Sequence, residues 1–155
     1  MRKAKNVYRI SCFVVLFLFI LANHAGAADW ILFGQTATGD AYYDKSNIYE
    51  AGGIIRVWTK DIYSKEGKMN TYQIMKNLGH AIASPDVLSH QLILREFDCA
   101  NEKMQSTALT VYTIDGAAIF SQSKSFDERK DIAPGSIFET LKNIVCNGGK
   151  TSRTK

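Results

Sequence analysis

The sequence predicts an α+β fold, in which one or two helices pack on a largely antiparallel sheet closed by one disulfide. Three observations support the fold class. Residues 54–63 form a long run rich in β-branched and aromatic side chains, an Asp-Gly pair separates two other strand-like runs, and two segments place apolar residues at helical spacing. No Pro-rich or Ser-rich linker divides the chain, so we expect a single domain whose helices are segregated from its sheet.

The predicted strands follow one another closely along the chain. They lie at residues 30–33, 41–44, 47–50, 54–63, 89–97, 107–114 and 117–125. Between the last two, Asp115 and Gly116 predict a two-residue hairpin turn, because both residue types tolerate positive φ. In the fifth run, alternation places Leu92 on the face opposite to Ile93 and Phe97. Together these runs predict an antiparallel meander.

Two helices are predicted from apolar periodicity and end signals. The first covers residues 68–78 and is followed by Gly79, which is typical of a helix C-terminus. Its apolar residues recur three apart, at Met69, Tyr72, Met75 and Leu78. The second begins after Ser136 and ends at residues 147–148. Ser136 and Glu139 have the spacing of a capping box, in which the hydroxyl caps the helix and the carboxylate reaches back to the capping residue.

The first 27 residues predict a cleavable secretory signal. Four cations precede an apolar run at 10–22, and small residues follow at 25–28. A membrane-spanning helix needs about 20 apolar residues, so we expect cleavage after Ala27, or one residue later, rather than an uncleaved anchor. We therefore assign residues 1–27 to the signal, 28–149 to the folded domain and 150–155 to a disordered basic tail, and expect no stable membrane span after cleavage.

The charge balance of the mature chain argues against a nucleic-acid partner. The full chain has 19 Lys plus Arg and 15 Asp plus Glu. The signal removes four basic residues and no acidic one, so 15 of each sign remain and the formal net charge is zero. A nucleic-acid-binding domain needs clustered positive charge. We therefore expect no nucleic acid to bind.

Two cysteines remain after the predicted signal is removed, Cys99 and Cys146. In an oxidising compartment two cysteines of a small domain usually pair, so we expect a disulfide between them. Two reduced, buried thiols are the alternative. No C-x-x-C motif is present, which favours a structural role over a redox one.

The sequence contains no recognisable catalytic or metal-binding motif. His80 and His90 lack the neighbouring ligands that a zinc site requires, and neither a G-x-S-x-G motif nor a Gly-rich phosphate loop is present. The carboxylates are scattered, with examples at Asp40, Asp44, Glu96 and Asp98. Because strands can bring distant acids together, a hydrolase built on such a pair stays open. We expect a protein that is not an enzyme and that needs no cofactor and no metal.

Tyr42 and Tyr43 are the candidate binding residues. Neighbouring side chains on a flat strand point to opposite faces, so one of the two is expected to be exposed. Amphipathic rings are frequent anchors at binding surfaces. The alternative is that these aromatics fill a small core and cover the rim of the sheet.

Six segments form an ordered set along the chain: residues 29–30, 42–44 with Ile48, 55–60, 97–99, 112–116 and 132–146. Together they resemble the surface-adhesin protein E family of bacterial exported proteins. The most specific part is the span between the cysteines, with Pro-Gly-Ser before the last helix. The resemblance implies an antiparallel sheet of about six strands, a packed helix and a bond between the two cysteines.

The resemblance also implies binding, because the name-giving members bind host extracellular-matrix and serum proteins. Two features depart from the family. Those adhesins are lipid-anchored, whereas this signal has the form of an ordinary cleaved one. The family often has an aromatic residue just before an Ile-x-Pro segment, where this chain has Arg129-Lys130-Asp131.

Function is therefore expected to lie in binding. The leading hypothesis is an exported, non-enzymatic module, in the periplasm or on the cell surface, that uses a sheet face or edge to contact a protein partner. A periplasmic enzyme inhibitor or accessory subunit is the alternative. Exposed sheet edges also allow a homodimer by strand-to-strand pairing.

Overall fold

The structure is a computed structural model that describes residues 28–123 and 128–148. The predicted signal (1–27) and the predicted tail (150–155) lie outside the described residues and stay predictions, as do the domain boundaries drawn from them.

The described residues form one antiparallel sheet. Its strands are β1 (Trp30–Thr36), β2 (Gly39–Asp44), β3 (Tyr49–Ala51), β4 (Ile54–Tyr63), β5 (Leu88–Asp98), β6 (Lys103–Thr113), β7 (Ala118–Gln122) and β8 (Lys130–Asp131). The spatial order is β1-β2-β4-β5-β6-β7. β3 pairs with β4 beyond the end of β2, and β8 pairs with β6 beyond the end of β7. Eight segments thus fill six positions, which confirms the predicted antiparallel sheet of about six strands.

The strand prediction ended β1 too early, at Gly34. β1 continues to Thr36 because a bulge between Leu32 and Gly34 shifts the register against β2 without ending the pairing. A Cβ on Gly34 would lie 2.7 Å from Cγ2 of Ile137. Gly34 therefore marks a close approach of the sheet to a helix rather than a strand end.

The hairpin between β6 and β7 is present, but its turn is longer than predicted. The N–H of Gly116 donates to the carbonyl of Thr113 at 3.0 Å, and the N–H of Thr113 donates to the carbonyl of Ala117 at 3.0 Å. Gly116 has a φ of 84°, whereas Asp115 keeps a negative φ. This is a three-residue loop with glycine in the left-handed position rather than a two-residue turn.

Two helices, α1 (Lys65–Asn77) and α2 (Ile137–Gly148), cover the same side of the sheet. α1 begins three residues earlier than predicted because Ser64 caps it, its Oγ accepting from the N–H of Gly67 at 3.1 Å. Ser136 caps α2 as expected, accepting from the N–H of Glu139 at 3.2 Å. The Glu139 carboxylate reaches one residue further back than a capping box requires, to the N–H of Gly135 at 2.7 Å.

The predicted apolar face of α1 is only partly correct. Met75 is buried, but Met69 is 45% exposed and Leu78 is 60% exposed. A helix turns once in 3.6 residues, so residues repeating every three drift around its surface. Only the middle of the series faces the sheet.

The core has two parts, one beneath each helix. The part beneath α2 contains Phe33, Ala41, Tyr43, Ile55, Val57, Phe97, Met104, Leu141 and Val145. The part beneath α1 contains Met75, Leu88 and Val111. The buried residues of β4 alternate along the strand, and Ile93 and Phe97 of β5 lie on the covered side as predicted. Alternation therefore leaves the other face of the sheet without a helix among the described residues.

The predicted disulfide is present. Cys99, just after β5, bonds to Cys146 near the end of α2, with an S–S distance of 2.05 Å and 47 residues of sequence separation. The bond ties the C-terminal turn of α2 to the end of a central strand. Closing a loop of this length stabilises a fold by about 4 kcal/mol, because it removes conformations from the unfolded chain.

Replacing Cys99 by serine should therefore lower stability strongly under oxidising conditions. For a domain of this size we expect a fall of about 10–20 °C in Tm, measured by circular dichroism on the mature domain. The reduced wild-type protein is the matched control and should melt with the variant. An unchanged Tm in the oxidised state would show that the bond contributes no stability.

Candidate functional site

The side of the sheet that the two helices leave uncovered is called here the open face. Its central residues are Trp30, Tyr42, Trp58, Lys60, His90, Leu92, Leu94, Thr110 and Tyr112. The register assigns them to one side, because Tyr42 lies opposite Lys60, Lys60 opposite Leu92, and Leu92 opposite Thr110. Each of these side chains is partly exposed. The open face is thus a mainly apolar and aromatic surface.

The rings of the open face are held in defined contacts. His90 stacks on Tyr112, with ring centroids 4.9 Å apart and an interplanar angle of 8°. The Nζ of Lys60 lies 5.8 Å from the centroid of the Trp30 ring, within reach of a cation–π interaction. Burial, together with the nearby charge of Lys60, lowers the pKa of His90. The imidazole is therefore neutral at pH 7, and this part of the face presents rings beside a lysine.

A shallow depression of about 320 Å³ lies in the middle of the open face. It is lined by Trp30, Asp44, Trp58, Leu92, Thr110 and Tyr112. All six lining residues lie on strands, so the register of the sheet sets their relative positions. Such a surface can receive an apolar side chain of a partner without rearranging the backbone.

Asp44 fixes the edge of the sheet next to this depression. It is buried, and its carboxylate accepts from the N–H of Asp29 at 3.0 Å, from Ser46 Oγ at 2.6 Å and from Asn47 Nδ2 at 2.6 Å. Burial opposes ionisation, but these hydrogen bonds outweigh it and lower the pKa of Asp44 below its usual value. The ionised carboxylate closes the turn between β2 and β3 and holds the start of β1.

A charged corner lies at the other end of the open face. The Glu96 carboxylate accepts from Arg56 Nε at 2.6 Å and from Gln105 Nε2 at 2.6 Å, and Arg129 Nη2 lies 3.7 Å away. Arg129 also pairs with Asp98 at 3.4 Å. Burial raises the pKa of Glu96, but the hydrogen bonds and the two arginines together lower it below its usual value. Arg129 belongs to the segment in which the sequence departs from the family pattern.

The structure separates the two tyrosines named from the sequence. Tyr42 lies on the open face, half-buried, whereas Tyr43 is 6% exposed and packs edge-to-face on Phe33 at 6.4 Å. Tyr43 is therefore a core residue, and Tyr42 stays the candidate. The sequence reasoning did not group Trp58, Leu92 and Tyr112 with it. Their alternation within β4, β5 and β6 was visible, but the strand order that makes them neighbours was not.

A second concavity, the helix cleft, lies between α1 and α2 on the covered side. It has a volume of about 530 Å³. Its floor is a cross-strand row formed by Ala41, Asp61 and Gln91, and its walls include Ile74 of α1 and Ile137 and Phe138 of α2. Ile74 stands at the mouth and is 55% exposed.

The scattered carboxylates noted in the sequence are engaged in structural hydrogen bonds. Asp44 and Glu96 are held as described above, and Asp98 accepts from the backbone N–H and the side chain of Asn101 at 3.1 and 3.0 Å. Within residues 28–123 and 128–148, no group of three or more His, Cys, Asp or Glu side chains is placed to hold a metal ion. In the same part of the chain, no helix has the length and apolar character needed to cross a membrane.

The fold and the open face together define a class of protein: a small, disulfide-closed α+β module with one side of its sheet available for contact with another macromolecule. The chain belongs to the surface-adhesin protein E family, whose sequence profile matches residues 30–147. No curated protein sequence matches it significantly.

Solved structures of protein E from Haemophilus influenzae share the fold. One is 11% identical, with a TM-score of 0.55, and the match covers 84% of this chain and 96% of that one. A second crystal form is 13% identical, with a TM-score of 0.54 and coverages of 80% and 94%. Protein E from a non-typeable strain is 11% identical, with a TM-score of 0.51 and coverage of 85% of each chain. Each match covers 80% or more of this chain, although few side chains are shared.

The two engaged carboxylates should make the domain sensitive to acid. Asp44 and Glu96 have lowered pKa values in the folded state. Their stabilising contribution is therefore present above the unfolded pKa values, near 3.8 and 4.5, and is lost as the pH falls through the folded values. We expect Glu96→Gln to cost about 1–2 kcal/mol at pH 7 and to flatten the loss of stability below about pH 4.5, measured by urea unfolding at several pH values.

Glu50→Gln is the matched control, since Glu50 is an exposed carboxylate on β3 without a hydrogen bond in the described part of the chain. It should leave both the stability at pH 7 and the acid limb close to those of the wild type. An acid limb unchanged by Glu96→Gln would contradict the assignment.

Proposed function

We propose that this protein is an exported, non-enzymatic binding module that uses its open face to contact a protein partner, either a host matrix protein or a protein of the cell envelope. The observation that carries the proposal is an aromatic sheet face that no helix covers in the described residues. Membership of the surface-adhesin protein E family supports a role in binding. The signal-like first 27 residues support export.

The chemistry of the open face fits a protein partner. Interface centres are enriched in tryptophan, tyrosine and arginine and depleted in acidic side chains. Tyr42, Trp58 and Tyr112 lie on β2, β4 and β6, within four consecutive strands of the sheet, and each is partly exposed. Because each ring is carried by a hydrogen-bonded strand, little conformational entropy is lost when a partner docks. The charged corner of Arg56, Glu96 and Arg129 then supplies a polar rim.

Substitution of Trp58 by alanine should weaken partner binding by at least about tenfold, the effect expected for a buried aromatic anchor. The measurement is biolayer interferometry of the mature domain against immobilised matrix proteins and envelope proteins. Trp58→Phe should retain part of the affinity. Because Trp58 is half-buried, circular dichroism spectra and Tm of each variant accompany the binding data.

Met69→Ala is the matched control, because Met69 is an exposed apolar residue on α1, on the opposite side of the sheet. It should bind as the wild type does. Equal losses in Met69→Ala and Trp58→Ala, or no saturable binding to any member of the panel, would contradict the proposal. Binding to an envelope enzyme with loss of that enzyme's activity would instead support an inhibitor.

The proposed export is tested by the mass and accessibility of the protein in its own cells. We expect the mature chain to begin at Ala28, or one residue later, as measured by mass spectrometry. Protease treatment of intact cells should cleave a surface-displayed domain, whereas a periplasmic domain is cleaved only after permeabilisation. A chain that keeps residues 1–27 and stays in the cytoplasm would contradict export.

A further inference from the structure

The helix cleft combines an apolar wall with a polar floor. At the floor, Tyr63 Oη donates to Gln91 Oε1 at 3.0 Å, and Gln91 Nε2 donates to Asp61 Oδ2 at 2.9 Å. Burial raises the pKa of the Tyr63 phenol, so its proton stays in place as the donor of this chain. This series of hydrogen bonds, running from Tyr63 through Gln91, therefore orients the Asp61 carboxylate within the cleft.

Asp61 keeps one oxygen available. Arg95 Nη2 lies 3.7 Å from Oδ2, which is an ion-pair contact but too long for a hydrogen bond. The Nε and Nη1 of Arg95 are directed instead to Thr59 Oγ1 at 3.1 Å and Ser106 Oγ at 3.2 Å. Within the described residues, no hydrogen bond reaches Asp61 Oδ1. A carboxylate oxygen at the floor of the cleft is thus free to accept from a ligand.

The cleft is held open by two close contacts of glycine. A Cβ on Gly67 would lie 2.0 Å from the carbonyl oxygen of Thr38, so the first turn of α1 rests directly on the β1–β2 turn. Gly34 makes the corresponding approach to Ile137 at the start of α2. Both walls therefore rest on β1 or on the turn that follows it, and these contacts fix where each helix begins without any ligand.

The lining carries negative rather than positive side chains. Among the described residues that line the cleft there is no lysine, arginine or histidine, whereas Asp40 and the half-buried Asp61 are carboxylates. The Arg95 guanidinium, 3.7 Å from Asp61 Oδ2 and outside the lining, offsets one of these two charges. Ile74, Ile137 and Phe138 provide apolar contact. A volume of about 530 Å³ lies within the usual range of small-molecule sites, roughly 300–1,000 Å³. We propose that the helix cleft binds a small organic cation, with an amine or guanidinium on Asp61 and an apolar body against the helices.

This site is separate from the open face, which lies on the other side of the sheet, and the inference does not depend on the proposed function. Three probes of similar size and different charge test it by isothermal titration calorimetry on the mature domain: 2-phenylethylamine, 2-phenylethanol and 3-phenylpropanoate. The amine should bind at least about tenfold more tightly than the alcohol, as one charge-assisted hydrogen bond predicts. The carboxylate should bind most weakly.

Asp61→Asn should weaken binding of the amine by at least about tenfold and leave the affinity for the alcohol nearly unchanged. The retained alcohol binding shows that the cleft is still folded in the variant. Asp86→Asn is the matched control, because Asp86 is an exposed carboxylate near α1 that does not line the cleft. It should bind the amine as the wild type does.

A second pair of variants blocks the cleft without altering its charge. Ile74→Trp should abolish binding of the amine, whereas Leu78→Trp, at an exposed position just after the same helix and outside the cleft, should not. Trp58→Ala on the open face should leave the amine affinity unchanged. The proposal is overturned by equal affinities for the three probes, by an unchanged affinity in Asp61→Asn, or by no binding of the amine at millimolar concentrations.

Discussion

The buried guanidinium of Arg95 is the constraint around which the covered side of the molecule is arranged. Its side chain is only 8% exposed, and a charge so far from water must be paired and hydrogen-bonded to be tolerated. Thr59 and Ser106 satisfy it from the two neighbouring strands, and Asp61 supplies the opposite charge. The ring of Phe138 stacks over it at 4.4 Å. The position of α2, the packing of the central strands and the floor of the helix cleft all depend on this one group.

The helices and the polar contacts of Arg95 all lie on one side of the sheet, so the other side takes no part in them. Within the described residues, every buried side-chain nitrogen and oxygen has a partner. The open face carries rings that are only half-buried, and all of them except Trp30 lie on strands paired on both sides. The helices and the main apolar core thus lie on one side of the sheet, and the proposed contact surface lies on the other. Substitutions at the exposed rings of the open face leave the residues of that core in place, which suits a family whose members share a fold at low sequence identity.

Much of the fold could be predicted because its signals are local. β4 begins and ends where its β-branched run does, and Ser136 caps α2 as its spacing indicates. The errors arose where tertiary contacts override local preference. Gly34 was predicted to end a strand, but its missing side chain instead makes room for Ile137. The candidate site was harder to predict. Period-two alternation can separate Tyr42 from Tyr43, but no local signal tells which distant strands lie side by side.

The disulfide also determines how the domain responds to tension along its chain. Cys146 lies on the last described helix, and its partner Cys99 follows a central strand. A pull on the C-terminal side therefore passes through the sulfur bridge directly into the middle of the sheet. The 47 residues of sequence separation, about 160 Å of chain if fully extended, cannot be stretched by the pull while the bond is intact. The bridge therefore acts as a mechanical stop: β6, β7, β8 and α2, which lie between the two cysteines, carry none of the load.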